Sequence, residues 1–176
     1  MTSTPTMQPV AAHLVTPSIF RRVATLLYEA LLLLALIVIA SFPAAGLKGA
    51  TLYGIPHLIF QAYLLMVAAS YFTWFWRHGG QTLAMKTWRL RVVDFQGHKL
   101  NLARALARFF LALFFYGPAC VGMMLLFFPD RISRVIVMWT FLPMVATLLW
   151  ARFDADGQFL HDRMAGTRLV NVPAEY

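Results

Sequence analysis

The sequence predicts an all-α membrane protein. Four transmembrane helices form two helical hairpins repeated in parallel, with short cytoplasmic amphipathic segments and a small β-ribbon. Three observations predict this. The chain of 176 residues is 60% hydrophobic and only 12% charged, with a mean hydropathy of +0.67, whereas a soluble domain carries about a quarter charged residues. Four apolar stretches are each about 20 residues or longer, which is what a ~30 Å hydrocarbon core requires of a helix. Two basic segments, one after the second stretch and one after the fourth, resemble each other without a gap.

The first stretch covers residues 23–42, is broken only by Glu29, and is closed by Pro43 and Gly46. The second covers residues 55–76, with His57 and Gln61 near its start and Trp74 and Trp76 at its finish. The third, residues 102–128, is opened by Asn101 as a helix cap and carries Arg104 and Arg108 in its early turns. The fourth, residues 132–150, is closed by Arg152. Each is expected to span as a helix, the form that satisfies its backbone hydrogen bonds internally. Pro118 and Pro143 lie inside the last two and predict kinks, because each removes a backbone donor and displaces the preceding turn. Residues 1–17 read as a flexible cytoplasmic tail, 18–172 as one transmembrane domain, and 173–176 as a tail. Arg21 and Arg22 ahead of the first stretch could open a signal peptide, but an apolar run of about 20 residues exceeds the 7–15 of a signal core and holds Glu29. An uncleaved first span is therefore expected.

The formal net charge of +8 does not mark a nucleic-acid binder, because the cations flank the apolar stretches and leave no separate basic domain. Arg21, Arg22, Arg77, Lys86, Arg89, Arg91, Lys99, Arg104, Arg108, Arg152, Arg163 and Arg168 fall on one side; Lys48, Arg131 and Arg134 fall on the other. The positive-inside rule places the first group, and both termini, in the cytoplasm of a cell (plasma or inner) membrane. Trp74, Trp76 and Trp150 then sit near the inner boundary as an aromatic belt.

The repeat lies in the cytoplasmic segments. Gly80-Gln81-Thr82-Leu83-Ala84-Met85-Lys86 matches Gly157-Gln158-Phe159-Leu160-His161-Asp162-Arg163, and Arg91-Val92-Val93-Asp94 matches Arg168-Leu169-Val170-Asn171. Ser18 followed by Arg21 echoes Asn101 followed by Arg104. A parallel duplication implies an axis along the membrane normal. Within the first segment, Leu83, Ala84, Thr87 and Trp88 share a helical face away from Lys86 and Arg89, the pattern of an interfacial helix among anionic headgroups. Leu90 to Val93 reads as a strand, Asp94-Phe95-Gln96-Gly97 as a turn, and Thr167 to Val172 as the pairing strand.

These residues resemble the RDD family of bacterial and archaeal membrane proteins, named for an arginine and two aspartates. Arg22 fits the family arginine, and Glu29 stands seven residues later where the family usually has Asp. Gly80-Gln81-Thr82-Leu83, Lys86 and Leu90-Arg91-Val92-Val93-Asp94 look like the family's cytoplasmic motif. Leu160-His161-Asp162-Arg163-Met164-Ala165-Gly166-Thr167 looks like its C-terminal motif, with Asp162 as the second aspartate. The likeness runs from about Ser18 to Val172 and implies the fold and a role in transport. Glu29 keeps the charge of the usual Asp and adds one methylene, which preserves titration and alters ligand geometry.

Glu29 is the most informative single residue, since a carboxylate deep in a span costs about 2.5–3.5 kcal/mol on insertion scales. Arg108 falls within about four residues of its depth, or ~6 Å, and is the expected partner; Arg22 is expected to reach back to the interface. Glu29 then either binds a proton or cation in a polar path or forms a register-fixing pair with Arg108. Asp162 is expected to bond backbone or a basic residue such as Arg91. The scattered histidines and the lone Cys120 give no metal spacing or disulfide framework, and no nucleophile or phosphate loop supports His161-Asp162-Arg163 as a catalytic fragment. No cofactor and no enzymatic activity are expected. Two functions follow: a small transporter or ion- and proton-coupled permease, or a membrane scaffold docking a partner through its basic cytoplasmic face. The expected partners are the lipid bilayer with anionic headgroups at that face and further copies of the chain in a homo-oligomer, because four short spans make a thin bundle.

Overall fold

The computed structural model describes residues 16–45, 55–127 and 134–172. Lys48, Arg131, most of the predicted N-terminal tail and the last four residues lie outside them. Four helices are long and apolar enough to cross a membrane. α1 runs Ile19–Ala45 and α2 runs Ile55–His78; a short α3, Leu83–Thr87, then leads into β1, Leu90–Asp94. α4 runs Leu102–Leu125, α5 Arg134–Thr140 and α6 Leu142–Phe153, followed by α7, Leu160–Met164, and β2, Thr167–Asn171. Each half is thus a hairpin, a one-turn helix and a strand.

The strands pair antiparallel, with Leu90 opposite Asn171, Val92 opposite Leu169 and Asp94 opposite Thr167. Under the sequence repeat, Leu90 corresponds to Thr167, Val92 to Leu169 and Asp94 to Asn171. A two-fold rotation through the Val92–Leu169 pair therefore maps the ladder onto itself, as a parallel duplication requires. Other details repeat too. Gly80 and Gly157 both have positive φ, 69° and 63°, a conformation that glycine adopts without steric cost. Gln81 donates to the Leu90 carbonyl at 2.6 Å, and Gln158 both donates to and accepts from the Leu169 backbone. Arg104 donates to Asp94 at 2.9 Å, while Arg21 donates to Asn171 at 2.8 Å. The Gly-Gln motif is thereby explained: a left-handed turn followed by a side chain that locks the loop to the sheet.

The core sits at this sheet end, where Trp76, Met85, Leu90, Val92, Leu100, Ala105, Phe109 and Leu169 pack together. Farther along the bundle, Leu34, Ile39, Leu58, Met66, Phe114 and Met124 point outward, as apolar side chains solvated by lipid do. Asn101 caps α4 as expected, accepting from the Arg104 amide at 2.9 Å. The prolines behave differently from each other. α4 continues through Pro118, whereas the fourth span divides at Phe141, placing Pro143 in the first turn of α6, where its missing amide leaves no interior hydrogen bond unmade. Gly122 of α4 lets the divided helix approach, since a Cβ there would run into Thr140 and Phe141.

Three expectations need correction. Thr16 and Pro17 belong to the fold: Thr16 donates to the Asp156 carbonyl at 2.9 Å and Pro17 is fully buried. In α3 the buried residues are Ala84 and Met85, with Leu83 exposed, because α3 packs on α1 and β1 and so exchanges which side is apolar. Trp76 is buried at the core, unlike the exposed Trp74 and Trp150.

Candidate functional site

Two buried polar groups lie where the spans meet α3 and α7. The first is built on Arg108. Its guanidinium Nε donates to Asp162 Oδ1 at 2.7 Å, with side-chain exposures of 6% and 1%, and its plane lies over the Trp76 ring at 4.3 Å. His161 Nε2 stands 3.5 Å from the same carboxylate oxygen, and Thr167 Oγ1 reaches it at 3.4 Å while donating to the Asp162 carbonyl. His161 stacks on Phe159 and meets Tyr116 edge-on. Arg22, itself buried, lies over Phe159 at 4.7 Å and donates to the Gly157 carbonyl. Asp162 Oδ2, His161 Nδ1 and the Tyr116 hydroxyl are buried without a partner among the described residues.

The electrostatics of this group follow from burial and charge. Burial by itself raises the Asp162 carboxyl, but Arg108, His161 and Arg22 outweigh it and hold the carboxyl below its ordinary range. Burial dominates at His161, and with Arg108 nearby it pushes the imidazole down to about 4 against the opposing pull of Asp162. The centre is therefore an arginine–aspartate pair beside a neutral histidine at pH 7.

The second group is built on Glu29, 8% exposed on α1. Thr82, the cap of α3, donates to Glu29 Oε2 at 2.6 Å, and Tyr71 of α2 donates to Oε1 at 3.4 Å. Thr82 Oγ1 also accepts the Met85 amide at 3.3 Å. No Lys, Arg or His nitrogen among the described residues lies within salt-bridge distance of Glu29.

The expected Glu29–Arg108 pair is thus replaced by Arg108–Asp162, and Asp162 bonds Arg108 rather than Arg91. The reason is that α3 and α7 fold back against the bundle: α7 packs on α4 and α3 on α1, so each supplies a partner that depth along the spans does not reveal. Arg22 likewise stays inside, on Gly157 and Phe159, instead of reaching outward. Arg163 is half-exposed and bonds Asp156 at 2.9 Å. Asp94 accepts the Gln96 and His98 amides, closing the turn after β1, and bonds Arg104; these bonds and charges outweigh burial and lower its carboxyl. Gly80 and Gln81 serve the sheet, while Lys86 and Arg91 are exposed. Gln61 is exposed on the outside of α2 and does not converge with Glu29 and Arg108. Sequence reasoning missed Tyr71 and Tyr116, single uncharged residues with no spacing signal, and gave Thr82 and Phe159 a place in the repeated motif but no role in the site.

The arginine on α1, the acid seven residues on, and the aspartate of α7 thus all lie on buried polar groups at the sheet end. The RDD family model matches residues 16–166. The chain belongs to the RDD family. No match is found among curated proteins or solved structures. In this RDD protein Arg22 and Asp162, the residues that resemble the family's arginine and second aspartate, share one cluster, while Glu29 occupies a separate hydroxyl-lined one.

Proposed function

We propose that this RDD protein couples proton or alkali-cation movement to passage across the membrane, with Glu29 as the titrating group. One observation carries the reading: a carboxylate buried among the spans has two hydroxyl donors and, among the described residues, no cation within ion-pair distance. A purely structural acid at such depth is expected to offset its ~2.5–3.5 kcal/mol insertion cost with a paired cation, and Arg108 is already committed to Asp162. A carboxylate with two hydroxyl oxygens is an all-oxygen set, suited to a proton or a hard cation. Each hydroxyl donates to the ionised acid and turns a lone pair toward a bound cation instead. Because Thr82 also caps α3, a change of charge at Glu29 reaches the segment outside the membrane directly.

In this reading the sheet end faces the cytoplasm, on the weight of the cations there, and the chain transports rather than catalyses. The exposed Gln61 amide in the second span supports assembly into a homo-oligomer, since such groups seek partners on neighbouring helices. The test is flux of protons, sodium or potassium in liposomes reconstituted with purified protein. Glu29→Gln is expected to fold with unchanged melting temperature and lose flux, and Tyr71→Phe to reduce it. Unchanged flux in Glu29→Gln would falsify the reading. A second reading, docking of a partner protein on the cytoplasmic face, draws on the exposed Lys86, Arg89, Arg91 and Lys99, and gains ground if no flux is found for the native chain.

A further inference from the structure

The two halves share a frame but differ in how they neutralise their cations. In the second half, Asp156 accepts from Arg168 at 2.5 Å and from Arg163 at 2.9 Å, and Asp154 lies 3.7 Å from Arg163. Both guanidinium groups also lie over Phe95. In the first half the repeat places Arg91 at the position of Arg168 and Lys86 at that of Arg163. The acids, however, are gone: Arg77 stands where Asp154 does and Gly79 where Asp156 does. Arg91, Lys86 and Lys99 have no side-chain salt-bridge or hydrogen-bond partner among the described residues, whereas Arg21, Arg22, Arg104, Arg108, Arg163 and Arg168 each have one.

Where the missing carboxylate would lie there is a pocket of about 220 Å³. Its lining includes His78, Gly79, Gly80, Arg91, Gly97 and Lys99. A Cβ on Gly79 would meet only the Phe75 carbonyl oxygen, at 3.9 Å, so the glycine leaves open the space that a side chain fills in the other half. The volume is below the ~300–1,000 Å³ of drug-sized sites, which fits a single small anionic group. The position is interfacial: His78 ends the second span and stacks on the exposed Trp74 one turn earlier, as residues at a headgroup boundary do.

We propose that this pocket binds the phosphate of an anionic phospholipid, which stands in the first half where Asp156 stands in the second. The lipid completes the pseudo-symmetric charge balance around the sheet, with Arg91 as its principal contact and Lys99 as the second. Free inorganic phosphate has the same chemistry, and the source is decided by experiment.

The experiment uses the full-length protein in a neutral detergent, titrated with phosphatidylglycerol or phosphatidylcholine and read by native mass spectrometry. Phosphatidylglycerol is expected to be retained in preference to phosphatidylcholine. Arg91→Gln should weaken that retention by about five- to tenfold, the worth of one interfacial cation. Gly79→Asp supplies the carboxylate internally and should weaken it to a similar degree while keeping the native melting temperature. Equal retention of phosphatidylglycerol by the native protein and both variants would overturn the proposal. So would displacement of the lipid by inorganic phosphate at matched concentration, which assigns the pocket to the free ion. Tighter lipid binding after deletion of residues 173–176 would also overturn it, by assigning the pocket to the chain's own terminal carboxylates.

Discussion

Arg108→Ala is expected to destabilise the protein by roughly 3–5 kcal/mol at pH 7, the range for breaking a buried ion pair by removing one partner. The magnitude belongs at that end because both side chains are nearly sealed, at 6% and 1% exposure, and 2.7 Å apart. Asp162 would be left with Thr167 and a neutral His161 beside it and with Oδ2 already unpartnered. The stack on Trp76 goes as well, worth about 0.5–2 kcal/mol. The two ends of the pair should respond differently to pH. Without Arg108, burial governs the Asp162 carboxyl and raises it, so the variant can neutralise the acid by protonation and its deficit should shrink as pH falls. Asp162→Asn instead strands a guanidinium that cannot shed its charge, so its deficit of about 3 kcal/mol should persist across pH. Arg108→Met with Asp162→Leu removes both charges and should recover part of the loss, giving a coupling of about 0.5–3 kcal/mol. Unfolding in detergent followed by tryptophan fluorescence reads this directly, since Trp76 lies beneath the guanidinium. A loss under about 1 kcal/mol in Arg108→Ala, or a larger coupling of Arg108 to Glu29 than to Asp162, would refute the assignment of partners.

Two further outcomes follow from single residues. His161 is neutral in the fold with a pKa near 4, against an ordinary 6.5, so the unfolded chain binds its proton first as pH drops; stability should fall by about 3 kcal/mol between pH 7 and pH 4 through this residue, and His161→Phe should flatten that limb of a pH–stability curve. Arg89 holds φ at 54°, where its counterpart in the second half is Gly166 at 68°; Arg89→Gly should raise the unfolding free energy by about 0.5–1 kcal/mol, and a decrease of that size would show that its side chain makes a contact the backbone strain conceals.

The spans, the repeat and the ribbon were legible in the sequence because each rests on a periodic or compositional signal. Apolar runs of bilayer length, a gapless likeness between two basic segments, and a Leu90–Val93 strand answered by Thr167–Val172 all reappear in the structure, with α1 and α2 running a few residues longer than the apolar runs alone. The pairing of charges was not legible. Depth along a span gives one coordinate, and it put Arg108 level with Glu29; the partners came from α3 and α7, one-turn helices that fold back onto the bundle end. Arg22 shows the same limit. A cation at a span's start commonly reaches outward, but here the Gly157 carbonyl and the Phe159 ring meet it inside.

The repeat also separates the residues that hold the frame from those that do not. Frame residues occur twice: Gly80 and Gly157 at the same left-handed turn, Gln81 and Gln158 each bonded to the strand of its own half, and Arg104 and Arg21 bonded to Asp94 and Asn171 at the strand ends. The polar groups of the site occur once. Extending the correspondence along the helices puts Thr25 where Arg108 would repeat, Met85 for Asp162, Ala112 for Glu29 and Phe159 for Thr82. A two-fold bundle that only needed internal charge pairs could have kept both copies. Instead, one half supplies α4's arginine to α7's aspartate, and the other supplies α1's glutamate to the hydroxyls of α2 and α3. A buried group with no counterpart lies outside the frame that the two halves share, and has to be accounted for on its own: Arg108 and Asp162 by their mutual ion pair. Glu29 has no such account, since among the described residues no cation lies within ion-pair distance of it, and this is why the proposed chemistry is assigned to the hydroxyl-lined side of the bundle.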